Sequence, residues 1–278
     1  MNDELEQPAY EVHLTLDQNS IRAPIHRVLI DSSNNVALSL LAVDQYKTDE
    51  MPQLPTNGLF RYTINPPDPK QMPQALDELK QAFRQWILKV AFGEFIVGVT
   101  GTIQSARFYC EVATYFGPGP HETKAEEFNE RMGALREQAL KGDIPTMLDR
   151  LEAKLTSPLD LREHIQSINT ARNCLEHRRG VVTKADTNNA EQDALVVKWR
   201  RPELFYEKDG EEIILDGPKV IEGPTTVKLR YIDEKRIFKL GERIEFTVDE
   251  FNLLMFTCTL FCEDIIGKLP KLPEPPSP

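Results

Sequence analysis

Cysteine and histidine are scarce: 278 residues hold 4 Cys and 5 His. Four scattered cysteines are too few for a disulfide scaffold at this length, and no N-x-S/T sequon occurs. Long apolar runs are missing too. The most apolar, Leu253–Cys262, covers ten residues between Glu250 and Glu263, against the roughly 20 that a membrane-crossing helix needs. The opening MNDELEQPAYEVH is acidic and has no apolar stretch of signal-peptide type. These absences point to a reduced, cytoplasmic, soluble protein with no membrane partner. Positive charge is also in deficit, with 33 Lys+Arg against 44 Asp+Glu and a net charge of −11. Such a chain repels phosphate unless its basic residues are gathered locally, which disfavours a generic polyanion binder.

What is present is an ordinary core-forming composition, 40% hydrophobic and 28% charged, which excludes wholesale disorder. The basic residues are indeed gathered. Arg172–Lys184 holds Arg172, Arg178, Arg179 and Lys184 against Glu176 alone, a local +3. Lys228–Arg243 holds six bases against Asp233, Glu234 and Glu242, again +3. By contrast the first 20 residues carry five acids and no Lys or Arg. The acidic total therefore does not argue against a polyanionic substrate; it predicts a confined contact, with the remaining surface repelling bulk nucleic acid.

Along the chain, residues 1–32 are polar and mixed, with a weak strand alternation in Tyr10–Leu16; Asn34–Tyr46 fits a short helix or a buried strand equally well. Pro66, Pro67, Pro69 and Pro73 mark a linker, so 1–72 is an N-terminal extension. Leu76, Leu79, Phe83, Trp86, Ile87 and Val90 then recur at helical spacing and predict one buried face, interrupted at Gly98–Gly101 and resuming over Thr102–Phe116. A charged helix follows over Lys124–Lys141, then Ile144–Lys154 behind Asp143 as N-cap and Pro145. Ser157, Pro158 and Asp160 predict the start of a helix over 158–179, closed by Arg178, Arg179 and a left-handed Gly180. From about 190 to 246 the runs Ala194–Trp199, Glu212–Leu215, Thr226–Ile232 and Arg236–Leu240 read as strands, with Asp-Gly turns at 209–210 and 216–217. Thr247-x-x-Glu250 is a capping box, opening a helix whose core face is Phe251, Leu254, Cys258, Phe261, Cys262 and Ile265. The expected fold is α+β and predominantly α: a helical domain over 73–268 containing a small antiparallel β insertion, followed by a proline-rich tail over 269–278.

On a wheel of about 100° per residue with Leu161 at zero, Ile165, Ile168 and Leu175 form an apolar stripe and Arg172 falls inside it. A guanidinium on such a face has two outlets: an ion pair with an acid of a neighbouring helix, or a cleft or subunit interface. His177 lies farther round the wheel, close to Asn173, at the helix end. The run Arg172-Asn173-Cys174-Leu175-Glu176-His177, followed by Arg-Arg-Gly-Val-Val, resembles the signature of the HEPN superfamily (higher eukaryote and prokaryote nucleotide-binding). That signature is an Arg with a polar neighbour, four to six residues and then a His, near the end of a helix in a small α-helical bundle. This is the only Arg–His pair in the chain with that spacing.

The resemblance implies an HEPN-like bundle that cleaves RNA without metal or other cofactor. It implies a composite site built by two copies, hence a homodimer. His177 would be general acid or base for attack of the ribose 2′-hydroxyl on the adjacent phosphate, and Arg172 would stabilise the charged transition state. Asn173 would orient the phosphate or the His, with Arg178, Arg179 and Lys184 as substrate-binding cations. A toxin, defence or stress role, with an antitoxin or regulatory protein as further partner, follows from the resemblance alone. Members that bind nucleotides or RNA, or act as scaffolds, without cleaving supply the alternative. Elsewhere, Cys258-x3-Cys262 reads as core packing, His121-Glu122 as an exposed turn, and Trp199-Arg200-Arg201 with Phe205 and Tyr206 as either an RNA platform or a strand edge. His13, His26 and His164 show no partner in the sequence.

Overall fold

The structure, a computed structural model, describes residues 17–45, 76–116, 124–189, 191–217 and 224–271. Among them are six helices, α1 Asn19–Gln45, α2 Leu76–Phe116, α3 Ala125–Leu140, α4 Ile144–Glu152, α5 Arg162–His177 and α6 Val248–Gly267. A three-stranded antiparallel sheet is inserted between α5 and α6: β1 Ala194–Lys208, β2 Glu211–Ile214 and β3 Lys228–Lys239, in the order β2-β1-β3. The fold is thus mixed α/β and mostly helical. The readings on Tyr10–Leu16, the Pro66–Pro73 linker and His121-Glu122 lie outside the described residues.

α2 runs through the centre, touching α1, α3, α4, α5 and α6. The interruption expected at Gly98–Gly101 is not there; the helix continues, and the glycines serve α1. A Cβ on Gly98 would lie 3.2 Å from the Val28 side chain, and one on Gly101 would lie 2.9 Å from Pro24. Small residues let the two backbones close up, and α1, in the stretch taken for an N-terminal extension, packs antiparallel along α2. The buried face of α2 is also shifted. Of the six residues expected there only Ile87 is buried, while Phe83, Trp86 and Val90 are exposed. The core instead takes Leu88, Phe92, Phe95, Ile96, Val99 and Ile103. Apolar residues cover more than one arc of this helix, so periodicity alone does not choose between them. By length and composition α2 is also the one described helix apolar enough to cross a bilayer, with 56% of that window buried inside the fold.

α5 begins at Arg162, four residues later than expected, and Ser157 caps nothing. Neighbours have claimed the backbone that would have formed the first turn. The Leu159 amide donates to Glu152 of α4 at 2.8 Å, the Asp160 amide to Asp264 of α6 at 2.8 Å, and Lys268 Nζ to the Pro158 carbonyl at 2.6 Å. Both other predicted caps form: Asp143 accepts from the Thr146 amide, and Thr247 with Glu250 makes the reciprocal box that opens α6. All six residues expected on the α6 core face are buried.

The last two expected strand runs merge into β3, the first extends into β1 through Pro202, and the second stands as the four-residue β2. Along β1 the amides of Val196, Lys198 and Arg200 point away from β3, toward the helices. They donate to Asn188 Oδ1 (2.7 Å), Ser167 Oγ (3.0 Å) and Thr257 Oγ1 (2.8 Å). The Ser167 and Thr257 hydroxyls themselves donate to carbonyls of their own helices, so each joins a helix to the strand edge. From Phe205 onward β2 takes over that edge. Pro202 falls at the changeover, where no donor is required. The β1–β2 hairpin turns on Asp209 and Gly210, both at positive φ (57° and 85°), as the Asp-Gly signal predicts.

Candidate functional site

The end of α5 is built by a change of backbone hand. Arg178 leaves helical geometry, Arg179 (φ 55°) and Gly180 (φ 75°) are left-handed, and the Gly180 amide returns to the Cys174 carbonyl at 3.0 Å. The following strand-like segment then pairs with the residues after β3: the Val182 amide donates to the Glu242 carbonyl at 2.9 Å and the Ile244 amide to the Gly180 carbonyl at 2.8 Å. Arg243 Nη1 donates to the Arg179 carbonyl at 3.1 Å. The β insertion thereby clamps the end of α5 in place.

Arg172, Asn173 and Glu176 come together on this helix. Arg172 Nη2 lies 2.8 Å from Glu176 Oε2, and Nη1 donates to Asn173 Oδ1 at 3.2 Å. Arg172 Nε is buried and unpartnered. The Arg172 and Glu176 side chains keep 28% and 30% of their exposure, so the guanidinium is paired without being sealed in. The pair lies in the cleft between α5 and α2, because a Cβ on Gly93 would come within 2.9 Å of Glu176 Oε1. His177 is exposed and makes no hydrogen bond or ion pair among the described residues. Cys174, inside the motif, faces the core, and burial above all pushes its thiol up to about 11. A thiol so protonated is no nucleophile.

The three flanking cations part company. Arg178 is committed to Asp186, a fully buried carboxylate: its Nε donates to Oδ2 at 2.7 Å, and Nη2 engages Oδ1. The Thr183 amide and hydroxyl add bonds of 2.9 and 2.8 Å to the same carboxylate. Burial works to raise the Asp186 pKa, but Arg178 and Thr183 prevail and hold it below the usual carboxylate range. Arg179 is exposed and lines an open groove of about 770 Å³ between the first turns of α2 and the end of α5, with Trp86, Lys89, Leu175 and Arg243. Asp77, Glu78 and Glu245 on the same groove temper its positive charge. Lys184 is exposed and forms no ion pair among the described residues.

Other candidates resolve into structure. His164, expected to stand alone, is buried with Nε2 3.3 Å from Asp233 Oδ1; Nδ1 has no partner. Burial is the main influence lowering its pKa, helped by Arg200 and Lys198 and opposed by Asp233. Trp199 is buried with its Nε1 donating to Glu234, Arg200 holds Asp233, and Arg201 holds Glu234 and Glu203. That run belongs to the central strand and its cations are spent on carboxylates. Cys258 and Cys262 are buried in the core. No group of three or more His, Cys, Asp or Glu is placed to hold a metal ion among the described residues. Asp186, Ser167 and Thr257 escaped sequence reasoning. Their only signal was a polar residue on or beside an apolar face. In comparisons with known proteins, the chain matches no family model, no curated protein and no solved structure.

Proposed function

We propose that this is an HEPN-like, cytoplasmic, metal-independent endoribonuclease acting through Arg172, Asn173 and His177. One observation carries the proposal: the motif residues share one helix end beside an open groove, with Asn173 bound to Arg172 and the His177 ring free. In the reaction His177 takes the proton of the ribose 2′-hydroxyl or returns one to the departing 5′-oxygen. The 2′-oxygen forms a new bond to phosphorus as the P–O5′ bond breaks, leaving a 2′,3′-cyclic phosphate and a 5′-hydroxyl. Arg172 exchanges Glu176 for the phosphate, where a planar guanidinium matches two oxygens at once. Arg179 and Lys184 hold the flanking backbone, and Arg178 contributes through Asp186 to the shape of the helix end. Two copies supply two His177 side chains to one site, and a defence, stress or toxin role, under an antitoxin or other regulator, fits such an activity.

The pairing of Arg172 with Glu176 favours a second function, a nucleotide- or RNA-binding module or assembly scaffold that does not cleave. Incubation of RNA with the protein in EDTA separates the two. The nuclease is expected to cut, with rates lower by about 10²–10⁴-fold in His177→Ala and about 10²–10³-fold in Arg172→Ala. RNA binding without cutting by the wild type would establish the module instead, and cutting undiminished in both variants would remove these residues from the site.

A further inference from the structure

The outward face of α2 exposes large apolar side chains that the fold leaves uncovered. Phe83, Trp86, Val90 and Val97 are 44%, 57%, 47% and 56% exposed, and the Phe83 and Trp86 rings stack at 5.8 Å. With Gly93 at zero on a wheel of about 100° per residue, Trp86, Val97, Val90 and Phe83 fall at about 20°, 40°, 60° and 80°. They form one continuous stripe about 21 Å long at 1.5 Å per residue, immediately beside the glycine on which Glu176 rests. An apolar stripe rimmed by charge marks an interaction surface.

Its shape and charge fit a second copy. A two-fold axis passing beside α2, level with the midpoint between Ala91 and Phe92, sets the two helices antiparallel. That register places Trp86 opposite Val97 and Val90 opposite Gly93, a large side chain against a smaller one each time. Self-complementarity of this kind is the requirement for an isologous dimer. Lys89 borders the stripe on the α5 side, at about −40° on the same wheel, and has no carboxylate partner among the described residues. Because the axis stands perpendicular to the helix pair, each flank stays on its own side. Lys89 of a second copy then arrives level with position 94, against Glu176.

We infer that the α2 stripe is a self-association surface, occupied by α2 of a second copy in this antiparallel register, and that Lys89 of the second copy draws Glu176 away from Arg172. Both α5 ends then lie on one side of the paired helices, facing a shared cleft. The self-association stands on the stripe alone; the release of Arg172 rests on the proposed nuclease function.

The four native cysteines are buried, so an introduced surface thiol is the accessible one. Val90→Cys is expected to give a disulfide-linked dimer on mild oxidation, whereas Leu41→Cys, exposed on α1, is expected to give none. Light scattering should find wild-type protein at twice 31.8 kDa and the Trp86→Asp/Val90→Asp variant at 31.8 kDa with unchanged helical circular dichroism. Lys89→Glu should weaken the dimer, and Lys89→Glu with Glu176→Lys should restore it. A monomeric wild type, an unchanged mass in Trp86→Asp/Val90→Asp, or flotation of wild type with phosphatidylcholine vesicles that Trp86→Asp abolishes would each overturn the inference. If the double-aspartate monomer still cuts RNA in EDTA, the shared cleft falls and the nuclease remains. If the dimer cross-links but wild type never cuts, the nuclease falls and the surface remains.

Discussion

The two basic islands carry the same formal excess of +3, and the structure pairs half of the bases in each, by different means. In the β3 island Lys228 pairs with Glu207, Arg230 with Glu203 and Glu212, and Arg236 with Glu250. Arg230 also covers the Phe205 ring at 4.6 Å. Cross-strand register puts a carboxylate within reach of Lys228 and Arg230, Glu250 of α6 takes Arg236, and Lys235, Lys239 and Arg243 form no ion pair among the described residues. At the end of α5 the pairing is equally incomplete. Arg178 is locked onto Asp186 and Arg172 onto Glu176, but Arg179, Lys184 and His177 stay exposed with no ionic partner among the described residues. Net charge over a window therefore says little about affinity for phosphate; the availability of each cation decides it.

The sharpest test of this comparison is to remove the buried acid just beyond the α5 island. Asp186→Asn leaves Arg178 without its counter-charge, and denaturant unfolding is expected to show a loss of about 3 kcal/mol. The sign with pH follows from the depressed folded-state pKa. Asp186 contributes its stability above the unfolded carboxylate value of about 3.9, and that contribution disappears as pH falls through the lower folded value. Asp186→Asn should accordingly flatten the acid limb of the stability curve.

Next in size are the hydroxyls that pin the β insertion to the helices. Ser167→Ala and Thr257→Ala each strand a β1 amide in the interior, at an expected cost of about 1–3 kcal/mol in the same assay. A gain of availability can be engineered in the β3 island: Glu203→Gln/Glu212→Gln frees Arg230 from both of its carboxylates, and the salt dependence of RNA binding should steepen by about one counterion. The smallest effect is the most discriminating. Arg179→Ala should lower that slope by about 0.9, whereas Arg230→Ala should leave it unchanged.

Much of the fold was readable because it is local. The Thr247–Glu250 box, the Asp143 cap, the Asp209-Gly210 turn and the apolar face of α6 each depend on residues within a few positions of one another. Where distant residues intervene, local signals are overridden. Ser157 and Pro158 have a good helix start, but Glu152 and Asp264 take the backbone amides of Leu159 and Asp160. Gly98 and Gly101 look like a break until Pro24 and Val28 are laid against them. The same division holds at the site. Arg172, Asn173 and His177 are visible as a motif, while the commitment of Arg178 to Asp186 and the contact of Glu176 with Gly93 depend on the packing of α5 against its neighbours.

The most direct test of the proposed chemistry is the identity of the RNA ends produced in EDTA, read by mass spectrometry for wild type and His177→Ala. Fragments ending in 2′,3′-cyclic phosphate with 5′-hydroxyl partners, formed by wild type and suppressed about 10²-fold or more in His177→Ala, are the expected result. Ends carrying 3′-hydroxyl and 5′-phosphate, or cyclic phosphate formed equally by both proteins, would contradict attack by the 2′-hydroxyl through His177.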